Sequence, residues 1–75
     1  LFVSDYKKHE VRRYDKGKDK NGTVVAGGNR AGKGLNQLNY PTDLFISERL
    51  TLYVSDTDNH RVIKWPKEAK EGIVV

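Results

Sequence analysis

Apolar residues in this chain fall in short clusters separated by stretches rich in Gly, Asp, Asn and Lys. Val11-Arg12-Arg13-Tyr14 places apolar residues at its two ends around two polar ones, and the pattern reads as a half-buried strand. The spacing predicts further strands at 1–4, 23–26, 42–46, 52–55, 62–65 and 72–75. Asp15 to Gly22 is a polar stretch with two Gly, which predicts a loop. Gly27-Gly28-Asn29 ends the third strand, and Pro41 introduces the fourth. No stretch of ten residues carries a 3.6-residue apolar period, so helix is limited to single turns at 36–39 and 67–71. Many short strands at close spacing predict an all-β fold.

An internal repeat organises these strands. Leu1-Phe2-Val3-Ser4-Asp5 matches Leu52-Tyr53-Val54-Ser55-Asp56 at an offset of 51. At the same offset His9 falls on His60, Val11 on Val62 and Tyr14 on Trp65. After one deletion, Gly22-Thr23-Val24-Val25 falls on Gly72-Ile73-Val74-Val75. A repeat of this length with four short strands per unit points to a propeller or solenoid array.

Leu52-Tyr53-Val54-Ser55-Asp56-Thr57-Asp58-Asn59-His60-Arg61-Val62 resembles the signature of the NHL repeat, a β-propeller unit. The Gly-rich lead-in from Gly27 to Gly34, Pro41 and the strand through Ile46 stand where that family places them. The resemblance covers essentially the whole chain and is closest over residues 41–65. In the first copy Lys8 replaces the family Asn and Glu10 the family Arg. The resemblance implies two adjacent four-stranded antiparallel blades, the first lacking its inner strand. Residues 1–26 would supply strands b, c and d of that partial blade. Residues 27–41 would form a Gly-rich inter-blade loop, and 42–75 a full blade of strands a to d.

Physical roles follow for the motif residues. Asp5, His9, Asp56, Asn59, His60 and Arg61 form the structural turn motif. Asp56 and Asn59 bracket a tight turn, where short polar side chains bond backbone N–H groups and Asn tolerates positive φ. His60 and Arg61 can pin the turn to a neighbouring unit by hydrogen bonds and an ion pair. Tyr14 and Trp65 supply apolar area where one sheet faces the next.

Composition narrows the function classes. A chain of 75 residues holds one ordinary domain at most, and the absence of Cys removes disulfides and thiolate metal sites. No apolar run approaches the roughly 20 residues of a membrane span, so no membrane partner is expected. The sequence opens on Leu1 rather than Met, so it is expected to be a piece of a longer chain or a processed product. The net charge is +4, and residues 1–34 carry nine Lys+Arg against four Asp+Glu. Lys7, Lys8, Arg12, Arg13, Lys16, Lys18 and Lys20 are therefore candidate contacts for an anion or RNA. Strand alternation sends Arg12 and Arg13 to opposite faces and divides that charge.

Other motifs resolve more plainly. Gly27 to Lys33 nearly spells a phosphate-binding loop, but Gly34 stands where Ser or Thr must hold the metal, so the reading favours an inter-blade loop. Two His at equivalent repeat positions fall short of the three ligands usual in a catalytic zinc site, and no cofactor is expected. Asp5, Asp56 and Asp58 lack the spacing of an EF-hand and read as turn residues. Asn21-Gly22-Thr23 is a glycosylation sequon, which would be used in an exported protein and leans the reading toward an extracellular one.

Taken together, the sequence predicts a non-enzymatic scaffold or binding module. It would belong to a longer repeat protein or self-assemble through open strand edges into a ring or filament. Its partners would be further blades of the same propeller, further copies of the chain, or a protein ligand. A single-stranded RNA-binding face is the second reading. Membership of a propeller enzyme resembling the amidating lyases is a third.

Overall fold

The computed structural model describes residues 1–17 and 20–75, and these residues are all-β. Strands β1 (Phe2–Asp5), β2 (Glu10–Arg13) and β3 (Thr23–Gly27) form one sheet in that order. Strands β4 (Pro41–Ile46), β5 (Leu52–Asp56), β6 (Arg61–Trp65) and β7 (Ile73–Val74) form a second. Every neighbouring pair is antiparallel. The first sheet thus has three strands, and one edge of β1 carries no partner among the described residues.

Strand ends depart from the sequence pattern by local bonding. β1 runs on to Asp5 because Asp5 pairs with Glu10 across the ladder. β7 shrinks to two residues because Gly72 donates its N–H to the Leu35 carbonyl at 2.7 Å, outside the ladder. Neither 36–39 nor 67–71 forms a helix. Each neighbourhood makes an isolated turn, Gln37 N–H to Gly34 C=O and Ala69 N–H to Pro66 C=O. The helical turn is instead a 3₁₀ turn at Thr57–Asn59, inside the repeat motif.

One core joins both sheets. Alternation along β5 buries Leu52, Val54 and Asp56, and β6 adds Ile63 and Trp65. Val11 and its cross-strand partner Ala26 come from the first sheet, and Leu38 comes from the connecting segment. Each such aliphatic side chain contributes roughly 1.5–3 kcal/mol by leaving water. Gly27 sits where the connecting segment leaves β3. Its φ is +67°, and a Cβ there would lie 2.5 Å from the His9 carbonyl oxygen and 2.9 Å from Leu38 Cδ1. Only glycine fits both the backbone angle and the space.

The two faces of each sheet are distinct. Phe2 and Arg13 of the first sheet and Leu52 and Trp65 of the second line a common cavity of about 240 Å³. The opposite face of the first sheet carries Val3, Arg12 and Tyr14, which line a separate polar hollow with Lys8 and Lys20. The face of the second sheet turned away from the core carries Phe45 and Tyr53, whose rings lie 6.1 Å apart.

Candidate functional site

The densest polar cluster is built on Asp56, whose side chain is fully buried at the end of β5. Its Oδ1 accepts the Asn39 N–H at 2.6 Å. Its Oδ2 accepts from Asn59 Nδ2 and Arg61 Nε, each at 2.8 Å. The 3₁₀ turn brings Asn59 back over Asp56, and the next strand brings Arg61 alongside. Burial of a carboxylate is costly unless it is paired and hydrogen-bonded. Here one carboxylate is met by three donors.

The donors reach further, into the Gly-rich connection. Asn59 Nδ2 also donates to the Gly32 carbonyl at 2.7 Å. Arg61 donates to the carbonyls of Lys33 and Gly34, each at 3.1 Å. Asn29 and Gln37 tie the same loop from within, through Asn29 Nδ2 to Asn36 C=O and Gln37 Nε2 to Asn29 C=O. The cluster is a latch that fixes the segment between the sheets. Its carboxylate, the Asn59 amide N–H groups and the Arg61 guanidinium bond to the protein's own side chains and backbone.

The positive backbone angle falls on a different residue from the one the sequence suggests. His60 has φ of +53°, and Asn59 lies within the 3₁₀ turn. His9, its equivalent in the first copy, likewise has φ of +56°. The Asn59 side chain donates rather than capping backbone N–H groups. His9 also makes a link between sheets, its Nδ1 accepting the Tyr40 N–H at 2.9 Å. Next to it the Tyr6 and Tyr40 rings lie 4.9 Å apart, and Ser4 Oγ donates to the Thr42 carbonyl at 2.8 Å.

The first copy of the motif is bonded differently. Asp5 Oδ1 accepts the N–H groups of Lys7 and Lys8, at 2.9 and 3.1 Å. Glu10, standing where the second copy has Arg61, cannot donate to Asp5. It is buried and pairs instead with Arg12, whose Nη1 donates to the Asn21 carbonyl. The hydrogen bond that Arg12 donates to the Glu10 carboxylate raises the Arg12 pKa above its ordinary value.

The remaining candidate residues are divided between surfaces. Lys8, Arg12 and Lys20 line the polar hollow with Tyr14, whereas Arg13 faces the inter-sheet cavity. Arg13 Nε lies 3.3 Å from an Asp15 carboxylate oxygen. Lys7 and Lys16 are exposed, and Lys18 lies outside the described residues. Asn21 is exposed beside that hollow. Trp65 is buried and donates its indole N–H to the Ala69 carbonyl at 2.9 Å. Tyr14 is half-buried on the opposite face of the first sheet, so it does not join Trp65 in the shared core. Among the described residues, no three His, Cys, Asp or Glu side chains gather as a metal-ligand set. No helix among them is long and apolar enough to cross a membrane.

Sequence reasoning did not find the His9–Tyr40 link, the Glu10–Arg12 pair or the amide network of Asn29 and Gln37. The repeat offset pairs only residues 1–25 with the second copy, so it could not point to the amides of the Gly-rich loop.

An antiparallel four-stranded sheet latched to its own entry loop and sharing a core with a neighbouring sheet fits a propeller-type repeat module. The chain carries an NHL repeat, and the family model of that repeat matches residues 38–65. The match begins at the buried Leu38, spans the latch residues Asp56, Asn59 and Arg61, and ends at Trp65. No curated protein and no solved structure matches the chain.

Proposed function

We propose that the chain is a non-enzymatic scaffold or binding module of a β-propeller. In this reading residues 1–26 are strands b, c and d of a partial blade. Residues 27–41 are the inter-blade loop, and 42–75 are a full blade. The carrying observation is the Asp56 latch. The most conspicuous polar residues of the repeat bind the connecting segment to the sheet it enters instead of facing a substrate. Two sheets cannot close a ring, since propellers use four to eight blades. The partners are therefore further blades or further copies, and the finished array presents loops to a protein ligand.

The test is the native and denatured mass of the polypeptide from its natural source. A native particle several times 8.5 kDa is expected. A stable native monomer of 8.5 kDa would overturn the proposal.

One observation favours a second reading, a face for single-stranded RNA. Lys8, Lys20 and the Glu10-paired Arg12 line one hollow together with Asp5 and Tyr14. Such binding combines cationic side chains with an aromatic platform. Retention of single-stranded RNA that falls steeply with salt and is lost in Tyr14→Ala would support it. Binding unaltered by that change would remove it.

A further inference from the structure

Two exposed turn residues stand in the backbone region that glycine fills at least cost, and both line the cavity between the sheets. Leu50 ends the turn from β4 to β5, donating its N–H to the Ser47 carbonyl at 2.9 Å, and its φ is +62°. Glu68 stands in the turn after β6, with φ of +63°. A bulky side chain is strained there, and glycine would relieve it. Strain of this kind gathers around ligand sites.

The cavity runs from an apolar floor to a charged rim. Leu52 and Trp65 are almost wholly buried, whereas Leu50, Lys67 and Glu68 are exposed. Phe2 and Val25 bound it from the first sheet. Buried water needs about two to four polar partners, which the side chains of the floor do not supply. A dry apolar cavity of roughly 150 Å³ admits benzene. The volume here, about 240 Å³, admits a phenyl ring with a short arm.

Arg13 supplies a polar anchor on the same cavity. Its Nε is buried and makes no hydrogen bond among the described residues. An Asp15 oxygen lies 3.3 Å away without completing one, and the Asp15 side chain is 51% exposed, so water weakens that pair. A buried donor without an acceptor is costly. A carboxylate is the natural partner, because a guanidinium can meet it with two parallel bonds. The charged side chains of the lining are Arg13 and Lys67 against Glu68, two cations to one anion.

We propose that the cavity between the two sheets binds a small monocarboxylate whose apolar body is about the size of a phenyl ring, the body lying on Leu52 and Trp65 and the carboxylate on Arg13. Both walls belong to this chain, so the site needs no further sheet. It lies on the opposite side of the first sheet from the hollow of Lys8, Lys20 and Tyr14.

The probes are phenylacetate and its uncharged isostere phenylacetamide, titrated into the full chain while Trp65 fluorescence is followed. Phenylacetate should give a saturable change with a dissociation constant of about 1 mM or below. Phenylacetamide should bind at least about tenfold more weakly. Arg13→Gln should erase that difference by weakening phenylacetate alone. Leu50→Gly should weaken both probes several-fold with no fall in the thermal midpoint, because the backbone strain is relieved. A purely structural Leu50 would give the reverse, a lower midpoint with unaltered binding, and would overturn its place in the site. No saturation by phenylacetate, or equal affinity for the two probes, would overturn the proposal. The two probes compared on the unaltered chain decide the matter if Arg13→Gln does not fold. Backbone amide shifts should locate the bound ring at Val25 and Leu52; shifts centred instead on the exposed Phe45 and Tyr53 rings would refute the site.

Discussion

Replacing Asp56 by Ala would remove the acceptor shared by Asn39, Asn59 and Arg61. The Arg61 side chain retains only 15% of its exposure, so its charge would lose its counter-ion where water reaches it poorly. Breaking a buried pair from one side costs about 3–5 kcal/mol. A chain of 75 residues has a total stability of roughly 4–11 kcal/mol, so the loss would be a large fraction of the whole. Asp5 is the internal control, being the same residue at the same place in the repeat. Its two bonds are to backbone N–H groups at an exposed turn, which water replaces on removal. Asp5→Ala should therefore cost about 0.5–1 kcal/mol. Urea unfolding followed by Trp65 fluorescence suits the comparison, because this single Trp is buried in the shared core. With a slope near ~1 kcal/mol/M, the Asp56 variant should lose about 3–5 M in midpoint and the Asp5 variant less than about 1 M. The double change Asp56→Ala with Arg61→Met should recover part of the loss, since no charge is then stranded. Losses for Asp5→Ala and Asp56→Ala that agree within about 1 kcal/mol would refute the claim that burial sets the strength of the latch.

Other outcomes are expected from equilibrium unfolding of single variants. Gly27→Ala should cost more than about 2 kcal/mol, because its Cβ would meet both a backbone oxygen and Leu38 at a left-handed backbone angle. His60→Gly should stay within about 0.5 kcal/mol of the parent, since glycine relieves the positive φ and the imidazole has no hydrogen bond among the described residues. His9→Ala should cost about 1 kcal/mol by stranding the Tyr40 N–H. Trp65→Phe should cost about 1–2 kcal/mol, from the lost bond to Ala69 and the smaller ring; a change below about 0.3 kcal/mol would show the bond to be unimportant.

The strands were legible because their signal is local. Leu52, Val54 and Asp56 alternate with Tyr53 and Ser55, and pleating alone separates the two sets. The repeat then located the weaker strands of the first sheet, whose own patterns are short. What escaped the sequence depends on contacts between distant segments. The Glu10–Arg12 pair reads as two surface charges until Gly28 and β3 close over that end of the sheet. The left-handed angle passed from Asn59 to His60 because Asn59 is needed as a donor to both Gly32 and Asp56. Which side of each sheet is covered was equally invisible, since apolar positions occur on both.

The placement of the latch bears on how such chains lengthen in evolution. Asp56, Asn59 and Arg61 grip a connecting segment that lies upstream of them and enters their own sheet. The preceding sheet adds few polar contacts, among them Ser4 and His9. A gene duplication that copies the connection together with its sheet would carry both halves of the fastening in one piece. A unit fastened in this way would need few polar contacts with whatever sheet stood before it.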